Sequence, residues 1–189
     1  MKFLSETSGV DIINEARRLL RDAVSVYEQE AKDCQTCETR GLCCTDAHFV
    51  NVRISPLETK AIINHIEGLS DRLKSRIRMR LNESIESLEE EMKPEAESVF
   101  YSCPLFDREV GCSVHEVKPG ACIHHACYEN KSDLPPAMIL DEYEEVVELA
   151  NKRVYGKHRV SLPIPIAIRE LAEDSGSSNP PADDRDGEK

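Results

Sequence analysis

The chain contains no tryptophan, and aromatic residues make up only 5% of its 189 residues. Proteins that bind single-stranded nucleic acid stack bases on aromatic side chains, so this shortage speaks against such a role. The formal net charge of −12 argues in the same direction, because a phosphate backbone attracts a basic surface. We therefore expect no nucleic-acid partner.

Long apolar runs are also absent from the sequence. No segment approaches the roughly 20 apolar residues of a membrane-spanning helix, and the opening MKFLSETSGVD lacks the apolar core of a secretory signal. We therefore expect a cytoplasmic protein in a reducing compartment, without a membrane partner. The sequence also lacks a G-x-G-x-x-G loop, a P-loop and an H-E-x-x-H motif, the usual signatures of nucleotide binding and zinc peptidases.

Apolar residues recur at helical spacing in four segments, which predicts helices over 11–31, 56–67, 71–92 and 139–155. Ser55-Pro56-Leu57-Glu58 supplies an N-cap, a proline in the first turn and a glutamate three residues after the cap. Residues 49–54 alternate between apolar and polar, as in a short strand. The two prolines in residues 162–166 predict an extended arm. The last of the four helices has a predicted buried face of Ile139, Tyr143, Val146, Val147, Ala150 and Val154.

The predicted fold is mostly α, because helical periodicity covers most of the chain. We expect a small single domain over residues 1–173, with a loop-dominated, cysteine-rich metal-binding region and one or two short strands. Residues 174–189 are mostly Ser, Gly, Asn, Pro and Asp, with no apolar residue beyond Ala182. That composition predicts a disordered acidic tail.

Eight cysteines form two groups of four, Cys34, Cys37, Cys43 and Cys44, then Cys103, Cys112, Cys122 and Cys127. Both groups lie in turn-rich segments between helices. In a reducing compartment, such clustering indicates metal binding. A Cys-x2-Cys loop brings two sulfurs to one ion in both zinc ribbons and iron–sulfur proteins. We predict that all eight are metal ligands, that the metal is zinc or an iron–sulfur cluster, and that the two groups meet in space.

The cysteine-containing segments, roughly residues 33–48 and 100–128, lack a strong periodic apolar face. Their local structure must then come from another source, and thiolate–metal bonds can supply it. We therefore expect folding of these segments to depend on the metal.

Other interpretations of the cysteines remain open. Disulfides are the alternative if the compartment is oxidising, and buried core cysteines are common. A thioredoxin-type redox pair requires a strand before it, whereas Cys34 follows a predicted helix. His124 and His125 lie between two cysteines and carry suitable donor atoms, so whether either is a ligand is left open. His48 and His115 also lie near cysteines.

Two sequence runs in the second half resemble a known family. They are Cys103-Pro104-Leu105-Phe106 and residues 111–122, Gly-Cys-Ser-Val-His-Glu-Val-Lys-Pro-Gly-Ala-Cys. With the first cysteine group and Ser55-Pro56-Leu57-Glu58, the pattern over about residues 34–127 is similar to the YkgJ-type cysteine-cluster family. The resemblance implies a zinc- or iron-chelating domain whose cysteines bind the metal.

The chain departs from the pattern of that family at a few positions. The spacing after Cys37 is longer than the family's, and His115 stands where the family usually has tyrosine. Lys118 and Ile123 stand where it usually has arginine. The cysteines are retained, but a role that depends on the two arginines does not carry over.

Three functions are compatible with these observations. The first is a metal-binding protein with a structural, redox or metal-handling centre. The second is an iron–sulfur-dependent enzyme or enzyme component, because the flagellin lysine-N-methylase family carries a similar cysteine cluster; enzymatic activity is left open. The third is a helical interaction adaptor stabilised by zinc, whose apolar helix faces would bind a protein partner.

Overall fold

A computed structural model describes residues 3–31, 38–45, 51–91, 101–125, 128, 130–156 and 159–176. The fold is mostly helical, as predicted. The helices in these ranges are α1 (Glu6–Val24), α2 (Leu42–Thr45), α3 (Pro56–Glu67), α4 (Asp71–Glu91), α5 (Gly120–His124), α6 (Ala137–Tyr155) and α7 (Ile164–Gly176). The strands are β1 (Arg53–Ile54), β2 (Phe106–Asp107), β3 (Gly111–Cys112) and β4 (Leu162–Pro163). Within the described residues, no helix is both long and apolar enough to cross a bilayer.

Helix α1 begins earlier and ends earlier than the prediction of 11–31. The Ser5 hydroxyl accepts a hydrogen bond from the Ser8 N–H and caps the helix. The first turns carry few apolar residues, so periodicity could not detect them. After the buried Val24, the next apolar residue, Val26, is 65% exposed. Continuing the helix there would bury nothing further, and the chain forms a short 3-10 turn at Glu28–Glu30 instead.

Helix α3 has the predicted bounds and the predicted capping box. The Ser55 hydroxyl accepts from the Glu58 N–H at 3.3 Å, and the Glu58 carboxylate accepts from the Ser55 N–H at 2.9 Å. The preceding strand is shorter than predicted, since β1 spans Arg53–Ile54. Residues 49 and 50 of the predicted strand lie outside the described residues.

The prediction of an extended arm over residues 162–166 is only partly right. Leu162 and Pro163 are extended and pair with β1 in antiparallel register. Helix α7, however, begins at Ile164. Pro165 is then the second residue of a helix, where its missing N–H has no intrahelical acceptor to lose. The predicted tail boundary at residue 174 falls in the last turn of α7, and residues 177–189 lie outside the described part.

The core consists of two clusters of buried apolar side chains with α3 between them. One face of α3, including Leu57 and Ala61, packs with α1, α5 and α6. Ile62 of α3 belongs to the second cluster, with α4, α7 and the β2–β3 hairpin. The predicted buried face of α6 is right for Tyr143, Val147 and Ala150 but wrong for Val146, which is 41% exposed.

The second cysteine segment contributes to the core although, as predicted, it has no strong periodic apolar face. Five of its large apolar side chains are buried, namely Tyr101, Leu105, Phe106, Val114 and Ile123. They are spread over short elements rather than one periodic helix, so a search for periodicity could not detect them. Part of the order in this segment therefore comes from apolar burial.

Candidate metal centre

The adjacent cysteines of the first group lie on the four-residue helix α2. Gly41 precedes this helix with a φ of 76°, a conformation that favours glycine. The Gly41 carbonyl accepts from the Cys44 and Thr45 N–H groups, both at 2.9 Å. Cys43 is exposed, whereas Cys44 is half-buried. The two thiols are nevertheless hydrogen-bonded to one another.

The segment that carries Cys103 is joined directly to α2. The Cys103 N–H donates to the Cys44 carbonyl at 2.7 Å. The Ser102 hydroxyl donates to the Thr45 carbonyl at 2.6 Å. The prediction that the two cysteine groups approach one another is confirmed for Cys44 and Cys103, which are 59 residues apart in the printed sequence.

The β2–β3 hairpin brings Cys112 back towards Cys103. Phe106 pairs with Cys112 and Asp107 with Gly111, and the Ser113 N–H donates to the Leu105 carbonyl at 2.8 Å. Gly111 has a φ of 91°, which a side-chain-bearing residue would adopt only with strain.

The fully buried Asp107 carboxylate holds the turn of this hairpin. It accepts from the Glu109 N–H at 2.9 Å and the Val110 N–H at 3.2 Å. It also pairs with Arg76 and Arg80 of α4, each at 2.9 Å. The turn between Cys103 and Cys112 is thereby attached to the long helix.

Helix α5 carries Cys122 and is oriented by Glu58 of α3. One Glu58 carboxylate oxygen accepts from the Tyr143 hydroxyl at 2.9 Å and from the Gly120 N–H at 3.4 Å. Gly120 packs so tightly on the Tyr143 ring that an added Cβ would lie 2.2 Å from a ring carbon. The glutamate predicted from its capping role therefore also positions a cysteine-bearing helix, which the sequence pattern could not indicate.

The described thiols affect one another's ionisation. Burial and, to a smaller extent, the thiol of Cys112 raise the pKa of Cys103 to about 12. The pKa of Cys122 is raised by burial and then by Cys103 and Cys112. The pKa of Cys44 is raised by its hydrogen bond with Cys43, by burial, and by the thiols of Cys43, Cys103 and Cys122. Each thiolate disfavours the next, and a cation among them would remove that repulsion.

Two cations lie near these thiols. Arg80 lowers the pKa of Cys103, and Lys118 lowers that of Cys122, although burial outweighs both. Lys118 was noted in the sequence as a replacement for arginine, whereas Arg80 was missed. The available signal for Arg80 was the four-residue spacing of Arg72, Arg76 and Arg80, which places them on one face of a helix.

Three of the eight predicted ligands lie outside the part of the chain that the structure describes. Cys34, Cys37 and Cys127 lie outside the described residues, as does His48. None of the five described cysteines forms a disulfide. Among the described side chains alone, no three His, Cys, Asp or Glu residues form a group that could hold a metal ion.

The histidines near the cysteines differ in environment. His124 is buried, and its Nε2 lies 3.2 Å from the Pro136 carbonyl oxygen. His125 is exposed. The pKa of His115 is lowered, first by burial and then by the nearby Lys118 and Arg21. The Pro136 carbonyl therefore gives the Nε2 of the buried His124 a partner within the protein.

No protein-family model, curated protein or solved structure matches the chain. The likeness to the YkgJ-type family consequently stays a prediction from the residues.

Proposed function

We propose that this chain is a cysteine-cluster metal-binding protein of the YkgJ type, with zinc or an iron–sulfur cluster at a structural, redox or metal-handling centre. The candidate ligands are Cys34, Cys37, Cys43, Cys44, Cys103, Cys112, Cys122 and Cys127. We place the protein in the reducing cytoplasm, where thiols stay available for a metal.

The observation that carries the proposal is the convergence of thiols from distant parts of the chain. The 2.7 Å hydrogen bond from Cys103 to Cys44 links the two groups, and Cys112 and Cys122 influence the same thiols. Three or four converging sulfurs are the donor set that zinc and iron–sulfur clusters use. A bound metal would supply positive charge that stabilises the thiolates and would crosslink α2, the hairpin and α5.

The test is anaerobic purification of the full chain, followed by metal analysis and an absorption spectrum. A brown protein containing iron and sulfide supports a cluster, and a colourless protein containing stoichiometric zinc supports a zinc site. Cys103→Ser and Cys112→Ser should then lose metal. Ser113→Ala is the matched control, because Ser113 is buried next to Cys112 and its hydroxyl has no hydrogen-bond partner among the described residues.

Comparison of the neighbouring cysteines sharpens this test. Cys44 is half-buried against Cys103, while Cys43 is exposed. Cys44→Ser should therefore lose more metal than Cys43→Ser. A metal-free wild-type protein from oxygen-free preparation, or full metal content in every cysteine variant, would contradict the proposal.

A further inference from the structure

A cleft with a volume of about 520 Å³ lies beside Cys103, between α4 and the segment that leads into the β2–β3 hairpin. This volume lies within the range of small-molecule sites. One face of α4 and the segment around Phe106 form its walls, with the end of α2 at one side. The lining residues are Thr45, Arg76, Arg80, Glu83, Ser84, Ser87, Ser102, Cys103, Phe106 and Arg108.

Arg80 is held in place at this cleft and still has an unused donor. Its Nε donates to the Pro104 carbonyl at 2.9 Å, and its Nη1 donates to Asp107 at 2.9 Å. Its Nη2 is buried without a hydrogen-bond partner among the described residues. A buried guanidinium N–H without an acceptor is costly. A small shift of the Arg80 side chain, which is 22% exposed, would let an oxygen of a ligand satisfy it with a charge-assisted bond.

Further donors line the same cleft. Arg108 is exposed, and the described part of the chain gives it no ion pair or hydrogen bond. Arg76 is already paired with Asp107 and Glu109, at 2.9 and 2.7 Å. Together with the Ser87 hydroxyl, these groups offer N–H and O–H donors and few acceptors.

We propose that this cleft binds a small oxyanion, the phosphate or carboxylate group of a small molecule, through Arg80 and Arg108. The chain as a whole has a net charge of −12, whereas this cleft is lined by three arginines and one glutamate. Asp107 and Glu109 neutralise part of this charge. Recognition therefore depends on directed hydrogen bonds more than on net charge, and binding should weaken only modestly with salt. The proposal does not depend on the metal centre.

The test is isothermal titration calorimetry of the full chain with inorganic phosphate and, separately, with citrate. We expect saturable one-to-one binding of one of these anions. Binding of phosphate indicates a phosphate site, and binding of citrate indicates a carboxylate site. Arg108→Ala should weaken binding about tenfold, as expected for the loss of a charge-assisted hydrogen bond. Arg78→Ala is the matched control, since Arg78 is an exposed residue of α4 that does not line the cleft.

Arg80→Lys keeps the charge but removes the guanidinium fork, and should also weaken binding. Because Arg80 pairs with Asp107, thermal unfolding of this variant is measured alongside. Arg108 is a surface residue, so Arg108→Ala should stay folded. It can still test the proposal if Arg80→Lys unfolds. Metal content is determined for each sample, which separates loss of the metal from loss of the anion. Absence of saturable binding by both anions, or equal weakening in Arg78→Ala, would overturn the proposal.

Discussion

Replacing Asp107 with asparagine should detach the β2–β3 hairpin from α4. The Asp107 carboxylate is fully buried. One of its oxygens accepts from the Glu109 and Val110 N–H groups. The other accepts from Arg80 at 2.9 Å. Arg76 Nη2 donates to the first oxygen at 3.1 Å and lies 2.9 Å from the second. An asparagine can keep one oxygen on the backbone donors, but its NH₂ group would then face two cations.

The expected loss follows from the charge-assisted hydrogen bond with Arg80, which disappears, and from the one with Arg76, which loses its anionic acceptor and faces an NH₂ group. Each contributes roughly 1.5–3 kcal/mol when its charged partner is buried. The side chains of Arg76 and Arg80 are 26% and 22% exposed, so water recovers part of that energy. We expect Asp107→Asn to lower the free energy of unfolding by about 3 kcal/mol. In a domain of this size, that corresponds to a fall in melting temperature of roughly 6–12 °C.

The assay is thermal and urea unfolding followed by circular dichroism, with Asp133→Asn as the matched control. Asp133 also accepts hydrogen bonds, from Asn130 and Ser132, but these lie at the surface. Its replacement should change the melting temperature far less. Equal shifts in the two variants, or no shift for Asp107→Asn, would refute the reasoning.

The same comparison should depend on pH in a defined direction. Burial favours the neutral form of Asp107, but the Glu109 and Val110 N–H groups and the two arginines outweigh it, so its pKa is lowered. A lowered pKa in the folded state stabilises the protein above the unfolded value of about 3.9. The stability difference between wild type and Asp107→Asn should therefore be full at neutral pH and shrink as the pH falls through the folded pKa.

Three other perturbations test separate parts of the molecule. Gly120→Ala should lower the melting temperature and metal content, because its Cβ would lie 2.2 Å from the Tyr143 ring; Gly68→Ala, whose nearest contact is 3.4 Å, should change neither. Truncation after Gly176 should leave both unchanged, because residues 177–189 contain little apolar surface; a clear fall would show that they pack. Metal chelation should lower thermal stability and expose residues 33–48 and 100–128 to protease while most helical circular dichroism remains; unchanged proteolysis would contradict metal-dependent order.

The helices with a regular apolar stripe could be predicted from the sequence, and those without one could not. Helix α3 matched at both ends because Ser55, Pro56 and Glu58 give a local capping signal and Gly68 follows. Helix α7 was not predicted, because two prolines within three residues favour an extended chain; proline is nevertheless tolerated in the first turn of a helix. Local signals therefore gave the bounds of α3, whereas the boundary between β4 and α7 depends on pairing with β1.

At the candidate site, the sequence indicated that the cysteines matter, but not which contacts position the elements that carry them. The clustered cysteines and the capping role of Glu58 were evident. The contacts of Asp107 with Arg76 and Arg80 join positions at least 27 residues apart, and Glu58 meets Gly120 across 62. Such pairs leave no periodic signal in one sequence, because neither partner constrains the residues next to the other.

The described cysteines are positioned by contacts that do not involve a metal. The backbone bond between Cys44 and Cys103 and the Glu58 contact to Gly120 each join separate elements. Tyr101 and Leu105 anchor the same region in the apolar core. A metal bound here would therefore contribute less to folding than the roughly 10 kcal/mol seen where no preformed site exists, as in zinc-finger peptides. These contacts bring the thiols close together, and closely placed thiolates repel one another. The same contacts that make folding less dependent on a metal therefore make the binding of a cation favourable.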